Sequence, residues 1–127
     1  MPVVAEIVSE PSAQDLIDLK KTYENQDDWL QKAVAGDDMV VAGRFNDRLV
    51  CAFVLRNEAD HWVLEKLQVR EITRRRGVAR QTLNSALKTL GFERPISADL
   101  SNHPELTDLF TELGFEATSE KTYQWQP

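Results

Sequence analysis

An arginine-rich turn that contains a glycine joins a strand-like apolar segment to a segment with helical spacing. The turn carries the pattern Arg-x-x-Gly-x-Ala over Arg74–Ala79. Five of the fifteen basic residues lie between Arg70 and Arg80 with Glu71 as the only acid, so this stretch carries +4 in a chain of net charge −6. Backbone N–H groups at the start of a helix lack intrahelical acceptors, and the helix dipole favours negative charge there. The turn therefore predicts a site for a phosphorylated ligand.

Other interpretations of this turn are weaker. An arginine run taken alone is more often a solvated charge cluster than a binding site. Gly77 and the strand–loop–helix context favour phosphate binding, because glycine lets a ligand approach the backbone closely. Nucleic acid is not expected as a partner, since the sequence pI is near 4.9 and the short basic patch has no interleaved aromatic residues for base stacking.

Length and composition predict a single domain over residues 1–127. A chain of 127 residues is long enough for one hydrophobic core, and no linker, repeat or low-complexity stretch divides it. The lone Cys51 lies in an apolar run and cannot form an internal disulfide, so we expect a buried thiol in a reducing compartment. No cationic leader and no apolar run of membrane length are visible. A cytoplasmic protein without a membrane partner is expected.

Apolar periodicity and turn signals predict the element order β-α-α-β-β-β-α-β-α-β-β. The predicted strands are Pro2–Val8, Met39–Phe45, Leu49–Leu55, His61–Val69, Ile96–Leu100, Phe115–Ala117 and Thr122–Trp125. Ser12 and Asp15 form a capping box before the first helix, and Asn46-Asp47-Arg48 has the composition of a hairpin turn. This order predicts an α/β domain built around a largely antiparallel sheet.

The glycine turn and the element order resemble the GNAT acyltransferase superfamily, whose signature Arg/Gln-x-x-Gly-x-Gly/Ala follows the fourth strand. Arg74, Gly77 and Ala79 match it. The resemblance implies a mixed, mostly antiparallel sheet with helices on both faces and a splayed strand pair that binds coenzyme A. The fourth strand would bond the pantetheine arm and the loop would enclose the phosphates. The implied cofactor-binding residues are Leu67, Gln68, Val69, Thr73, Arg74, Arg75, Arg76, Gly77, Val78, Ala79 and Arg80.

Three blocks, Asp15–Leu19, Arg44–Leu49 and Val69–Val78, narrow the resemblance to the PanM or PanZ family, the maturation factors of aspartate 1-decarboxylase. Members bind coenzyme A or acetyl-CoA, dock on the decarboxylase and promote its self-cleavage to the pyruvoyl form. The resemblance implies that Arg44, Phe45 and Asn46 contact the decarboxylase. Asn46 has a simpler interpretation as well, since asparagine tolerates the positive φ of tight turns.

The chain matches the cofactor-binding residues of the superfamily better than it matches the catalytic ones. Many GNAT enzymes use a tyrosine four residues before a Gly-Phe pair as the acid that protonates the departing thiolate, and Phe110 stands there. Tyr123 is a weak substitute, because its alternation with Trp125 is more simply packing. Glu65 is a weak candidate base, for which a solvent-facing strand position is the preferred interpretation. No metal site is predicted, because the chain's two histidines have no companions at ligand spacing.

Two functions from different classes stay open. The first is a regulatory protein that binds coenzyme A or acetyl-CoA and acts on aspartate 1-decarboxylase. The second is a catalytic N-acetyltransferase for a small amine or a protein lysine. The family blocks and the phenylalanine at position 110 favour the first.

Overall fold

The computed structural model describes residues 3–26, 28–70 and 77–127. The strands are β1 (Val4–Val8), β2 (Met39–Phe45), β3 (Arg48–Asn57), β4 (Trp62–Val69), β5 (Ile96–Asp99), β6 (Glu116–Ala117) and β7 (Thr122–Trp125). The helices are α1 (Ala13–Thr22), α2 (Leu30–Ala35), α3 (Val78–Thr89) and α4 (Thr107–Glu112), the last preceded by a 3-10 turn at Pro104–Leu106. The predicted element order is confirmed, with ends that differ by one or two residues.

Within these residues the strands form one sheet in the order β1-β2-β3-β4-β5-β7-β6. Neighbouring strands are antiparallel except β4 and β5, which run parallel. Arg48 belongs to β3 rather than to the preceding turn, because it pairs with Phe45 across a two-residue connection. The mixed, mostly antiparallel sheet predicted from the resemblance is confirmed.

Helices cover both faces of this sheet, as successive residues of β2 show. Val40 and Ala42 lie in a buried cluster with Leu19 of α1 and Ala33 of α2. Val41 lies between them in sequence and joins the opposite cluster, which contains residues of α3 and α4. Because side chains alternate across a strand, the central strands are apolar on both faces. No helix in the described part of the chain is long and apolar enough to cross a membrane.

Two local features determine where α1 begins and how closely α3 packs on the sheet. Ser12 and Asp15 exchange both bonds of a capping box at the start of α1, so this prediction is confirmed. Gly43 of β2 faces α3, where a Cβ atom would collide with the hydroxyl of Thr82 and with Val3. Glycine at this position therefore lets α3 pack directly on the sheet, which places the start of α3 beside β1 and β3.

Candidate functional site

A cleft opens where β4 and β5 separate. Their parallel register ends at the pair Leu64–Ala98, whereas β4 continues to Val69. The cleft has a volume of about 470 Å³, within the usual range for sites of small molecules and cofactors. Its lining comes from both strands, the segment after β5 and α4, and includes Glu65, Lys66, Leu67, Gln68, Ala98, Asp99, Leu100, Asn102, His103, Leu106 and Phe110. The predicted splayed strand pair is therefore confirmed, and two of its predicted ligand contacts, Leu67 and Gln68, border the opening.

A β-bulge in β4 marks the wall of this cleft. The β3–β4 register passes from Val54–Glu65 to Ala52–Gln68, so β4 has one more residue than β3 across this interval. Lys66 lies in it with φ +57°, a left-handed conformation that costs a non-glycine residue roughly 1–2 kcal/mol. The bulge changes the direction of β4 at the level where its pairing with β5 stops.

Two aromatic residues from the α1–α2 region hold this bulge. The hydroxyl of Tyr23 donates a hydrogen bond of 2.8 Å to the carbonyl oxygen of Lys66. Burial raises the pKa of Tyr23 far above its ordinary value, so the hydroxyl stays protonated as a donor. The ammonium of Lys66 lies 4.9 Å from the ring centroid of Trp29, whose ring packs edge-on against Tyr23. Sequence reasoning missed this contact, because nothing in the sequence marks a lysine for a left-handed bulge.

The glycine turn lies at the start of α3. Gly77 is the N-cap residue with φ +71°, and the first intrahelical bond runs from the N–H of Gln81 to its carbonyl oxygen, 3.0 Å away. The N–H groups of Val78, Ala79 and Arg80 therefore have no acceptor further back in the helix. Among the described residues, a Cβ at position 77 would meet nothing nearer than the Gln81 amide nitrogen at 4.0 Å. Glycine thus suits the left-handed backbone of this turn.

The sheet brings the end of β4 and the start of α3 together. Val78 is buried in a cluster with Val3, Val50 and Cys51, against which Leu67 and Val69 pack. Burial raises the pKa of the Cys51 thiol to about 12, which makes it a neutral core side chain as predicted. Of the other predicted cofactor residues, Arg80 directs its guanidinium to Glu112 of α4. Thr73, Arg74, Arg75 and Arg76 lie outside the described residues.

The tip of the β2–β3 hairpin lies at the end of the sheet where β4 ends and α3 begins. Asn46 and Asp47 form its tip, exposed and with φ +48° and +66°, as a type I′ turn requires. Arg44 bonds the carboxylate of Glu6 at 2.6 Å and that of Asp15 at 3.2 Å. Phe45 is half-buried against the cluster that contains Val78. Of the three residues predicted to contact a partner, Asn46 is exposed, whereas Arg44 and Phe45 are half-buried.

Comparison with models of known protein families identifies the family of this chain. The model of the PanZ acetyltransferase (GNAT) domain matches residues 2–122, nearly the whole chain. The chain belongs to the PanZ family.

Two relatives of this PanZ-family chain carry the same name. The PanD regulatory factor of Escherichia coli strain K12 is 40% identical over 79 residues, and that of Salmonella typhimurium strain LT2 is 35% identical over 79 residues. Each alignment covers 61% of this chain and 60% of the relative, so the match spans less than two thirds of either relative's length.

Solved structures share the fold over its full extent. The solution structure of Escherichia coli YhhK bound to coenzyme A covers 100% of both chains at 28% identity, with a TM-score of 0.70. An Elizabethkingia anophelis GNAT acetyltransferase with acetyl-CoA bound covers 98% of both chains at 9% identity and a TM-score of 0.70. Escherichia coli ElaA covers 96% of this chain and 97% of its own at 17% identity and a TM-score of 0.66. The predicted GNAT fold is confirmed.

The candidate catalytic positions of this PanZ-family cleft hold an apolar ring, a carboxylate paired with an arginine and a half-buried tyrosine. Phe110 borders the cleft, is fully buried and packs on Phe115 at 4.9 Å between ring centroids. Glu65 also lines the cleft but bonds the guanidinium of Arg56 at 3.0 Å. Tyr123 lies on β7 opposite Ala98, half-buried against the core. Neither candidate forms a hydrogen-bonded acid–base pair with the other.

Sequence reasoning also missed two polar residues of the cleft lining. Asp99 ends β5, and a hydrogen bond from the Ser101 N–H lowers the pKa of its carboxyl, which keeps it charged. The imidazole of His103 lies 3.2 Å from the carboxylate of Glu105. Their only signal in the sequence is position, since Asp99 lies near the end of the predicted strand Ile96–Leu100 and His103 follows that strand. Among residues 3–26, 28–70 and 77–127, no group of three or more His, Cys, Asp or Glu side chains could hold a metal ion.

Proposed function

We propose that this chain is a regulator of aspartate 1-decarboxylase that binds acetyl-CoA or coenzyme A and promotes self-cleavage of the decarboxylase to its pyruvoyl form. The observation that carries the proposal is that the glycine turn and the hairpin tip lie at the same end of the sheet as the last residues of β4, which line the cleft. Membership of the PanZ family and the name PanD regulatory factor of its relatives support it.

The cleft and the turn fit the two ends of the cofactor. Leu67, Gln68 and Val69 would offer backbone groups to the pantetheine arm, since β4 no longer pairs with β5 at their level. The N–H groups at the start of α3 and the residues from Thr73 to Arg80 would hold the phosphates. The cleft of about 470 Å³ would receive the arm and thioester, with the nucleotide outside it. Bound coenzyme A in YhhK supports this assignment.

Regulation is favoured over catalysis because, in the described part of the chain, a phenylalanine stands where many GNAT enzymes carry the proton-donating tyrosine. Phe110 fills the place of the acid with an apolar ring, and Glu65 is paired with Arg56. A catalytic N-acetyltransferase is the second candidate function. The observation in its favour is that the carboxylate of Glu65 lines the cleft, where an amine would meet a thioester.

The proposal is tested by mixing the chain with unprocessed aspartate 1-decarboxylase, with and without acetyl-CoA. Appearance of the two cleaved decarboxylase chains is followed over time by mass spectrometry. Cleavage that accelerates only when both this chain and acetyl-CoA are present supports the proposal. An unchanged rate of cleavage in that mixture contradicts it.

A further inference from the structure

Helix α1 holds the base of the hairpin through two carboxylates. Asp15 and Asp18 are three residues apart, so they lie on one face of the helix. Arg44, just before the hairpin tip, bonds Asp15 at 3.2 Å, and Arg48, just after it, bonds Asp18 at 2.6 Å. The arginines on both sides of the exposed Asn46-Asp47 turn are therefore fixed to the same helix.

Asp18 is the more deeply placed of the two. Its side chain is fully buried, whereas that of its partner Arg48 is 41% exposed. The carboxylate accepts hydrogen bonds from Nε and Nη2 of Arg48, from the backbone N–H of Leu49 at 3.1 Å and from the side-chain amide of Gln14 at 3.1 Å. A buried carboxylate with this many donors fixes the start of β3 as well as the arginine.

The same carboxylate also faces the beginning of the phosphate loop. Nη1 of Arg70 lies 3.9 Å from Oδ1 of Asp18, an ion-pair separation, and the Arg70 side chain is 14% exposed. The backbone N–H of Arg70 donates to the carbonyl oxygen of Val50 at 2.8 Å, next to the Leu49 that Asp18 holds. Arg70 lies three residues before Thr73, where the predicted phosphate loop Thr73–Arg80 begins. Asp18 is thus shared between an arginine of the hairpin and an arginine that precedes the loop.

We propose that Asp18 is the positioning residue that couples occupancy of the phosphate loop to the geometry of the hairpin tip, an inference that rests on the proposed function. Phosphates bound beside Arg70 attract its guanidinium and so weaken the ion pair between Arg70 and Asp18. The carboxylate then bonds Arg48 and the Leu49 N–H more strongly, which orders the Asn46-Asp47 turn for docking. The three blocks that carry the family resemblance meet at this one side chain.

The test is the ratio of acetyl-CoA dissociation constants for the free chain and for the chain bound to the decarboxylase, measured by calorimetry. In the natural protein we expect a ratio of roughly 5–150, the usual range of allosteric coupling. Asp18→Asn should bring the ratio close to 1. The matched control is Asp60→Asn, which removes the same charge from an exposed residue at the β3–β4 turn, at the opposite end of the sheet, and should leave the ratio unchanged. A merely structural role of Asp18 would weaken both constants equally.

A second variant and a second readout separate the possible failures. Arg70→Gln removes the ion pair between Arg70 and Asp18, so it should also lower the ratio of dissociation constants. This variant tests the proposal if Asp18→Asn does not fold. In the free chain, saturating acetyl-CoA should shift the amide NMR resonances of Asn46 and Asp47, and less so in Asp18→Asn. A natural protein without any coupling overturns the proposed function. Natural coupling that survives unchanged in both variants overturns the role of Asp18 alone.

Discussion

The hydroxyl of Tyr23, the C-cap residue of α1, donates a hydrogen bond of 2.8 Å to the carbonyl oxygen of Lys66 at the bulge of β4. This contact ties the α1 face of the sheet to the strand that forms one wall of the cleft. Lys66 keeps a left-handed backbone that is unfavourable for lysine, so surrounding contacts must hold it there. Tyr23 therefore helps to set the shape of the cleft although it does not line it.

Replacing Tyr23 with phenylalanine should weaken acetyl-CoA binding. The change removes one hydrogen bond, worth about 0.5–1.5 kcal/mol of stability, and leaves the ring in place. Loss of the anchor lets the bulge relax, so we expect affinity for acetyl-CoA to fall by up to about tenfold, the equivalent of ~1.4 kcal/mol. Titration calorimetry and thermal unfolding measure the two effects separately.

The control for that variant is Thr22→Val on the same helix. Thr22 is also buried, and its hydroxyl donates a hydrogen bond of 2.9 Å to the carbonyl oxygen of Asp18 within the helix rather than to the bulge of β4. We expect a comparable loss of stability with unchanged affinity for acetyl-CoA. Equal affinity losses in the two variants would show that the bulge contact has no specific effect on the cleft.

Gly77→Asp should abolish high-affinity binding of acetyl-CoA. A carboxylate at the start of α3 would repel the phosphates that the turn is proposed to hold. Aspartate adopts the left-handed conformation with less penalty than most residues, so the variant should fold. Binding is measured by calorimetry with acetyl-CoA.

Gly91→Asp is the matched control for this substitution. Gly91 follows the other end of α3, has φ +67°, and a Cβ there meets no atom of the described residues within 4 Å. The change therefore introduces the same charge with similar backbone strain, away from the loop. Acetyl-CoA affinity should stay natural in Gly91→Asp. Similar affinities in Gly77→Asp and Gly91→Asp would mean that the phosphates bind elsewhere.

Stability at low pH should depend on Asp18. Burial alone would raise the pKa of its carboxyl, but hydrogen bonds from Arg48, the Leu49 N–H and Gln14 outweigh burial and lower the pKa below its ordinary value. The carboxylate's contribution is complete above the unfolded-state pKa of about 3.9 and is lost as the pH falls through the lower folded-state pKa. The natural protein should therefore lose stability in this acidic range.

The difference in stability between Asp18→Asn and the natural protein measures the contribution of the Asp18 carboxylate. At neutral pH the variant should be less stable by about 1–3 kcal/mol, because a neutral amide replaces a carboxylate that accepts from a guanidinium. Urea unfolding at several pH values between 7 and 3 should show a constant gap down to about pH 4 and a smaller gap below it, since exposed carboxylates titrate equally in both proteins. A gap that stays constant down to pH 3 would exclude a charged Asp18 as its source.

Acetyl transfer by the natural chain should be close to background. General acid catalysis typically contributes ~10²–10⁴-fold, and the ring of Phe110 cannot supply a proton to the departing thiolate. Thiol release from acetyl-CoA with a panel of small amines and lysine peptides measures the rate. Turnover well above the uncatalysed rate would favour the acetyltransferase function.

Local signals made most of the fold predictable. The capping box at Ser12 and Asp15, the Asn46-Asp47 turn and the apolar periodicity of the strands each depend on residues close in sequence. The insertion of β7 between β5 and β6 was not predicted, because strand order depends on contacts between distant segments. The bulge at Lys66 was missed for the same reason, since Tyr23 and Trp29 stabilise it from another part of the chain.

The site was predicted in its parts and not in its arrangement. The hairpin tip and the phosphate loop are far apart in the sequence. The β3–β4 register brings them together by placing Val50 beside Arg70. Arg44 was predicted as a partner contact, whereas its guanidinium is already bonded to Glu6 and Asp15. Its role at an interface stays a prediction, as does that of Asn46.

The central claim is that the bound cofactor and the docked decarboxylase favour each other. The most direct measurement is the affinity of the natural chain for a cleavage-incompetent aspartate 1-decarboxylase, by calorimetry, in the absence and in the presence of saturating acetyl-CoA. We predict that acetyl-CoA tightens docking by a factor of roughly 5–150. Equal affinity in the two conditions would contradict the proposed function, even if the chain binds acetyl-CoA and the decarboxylase separately.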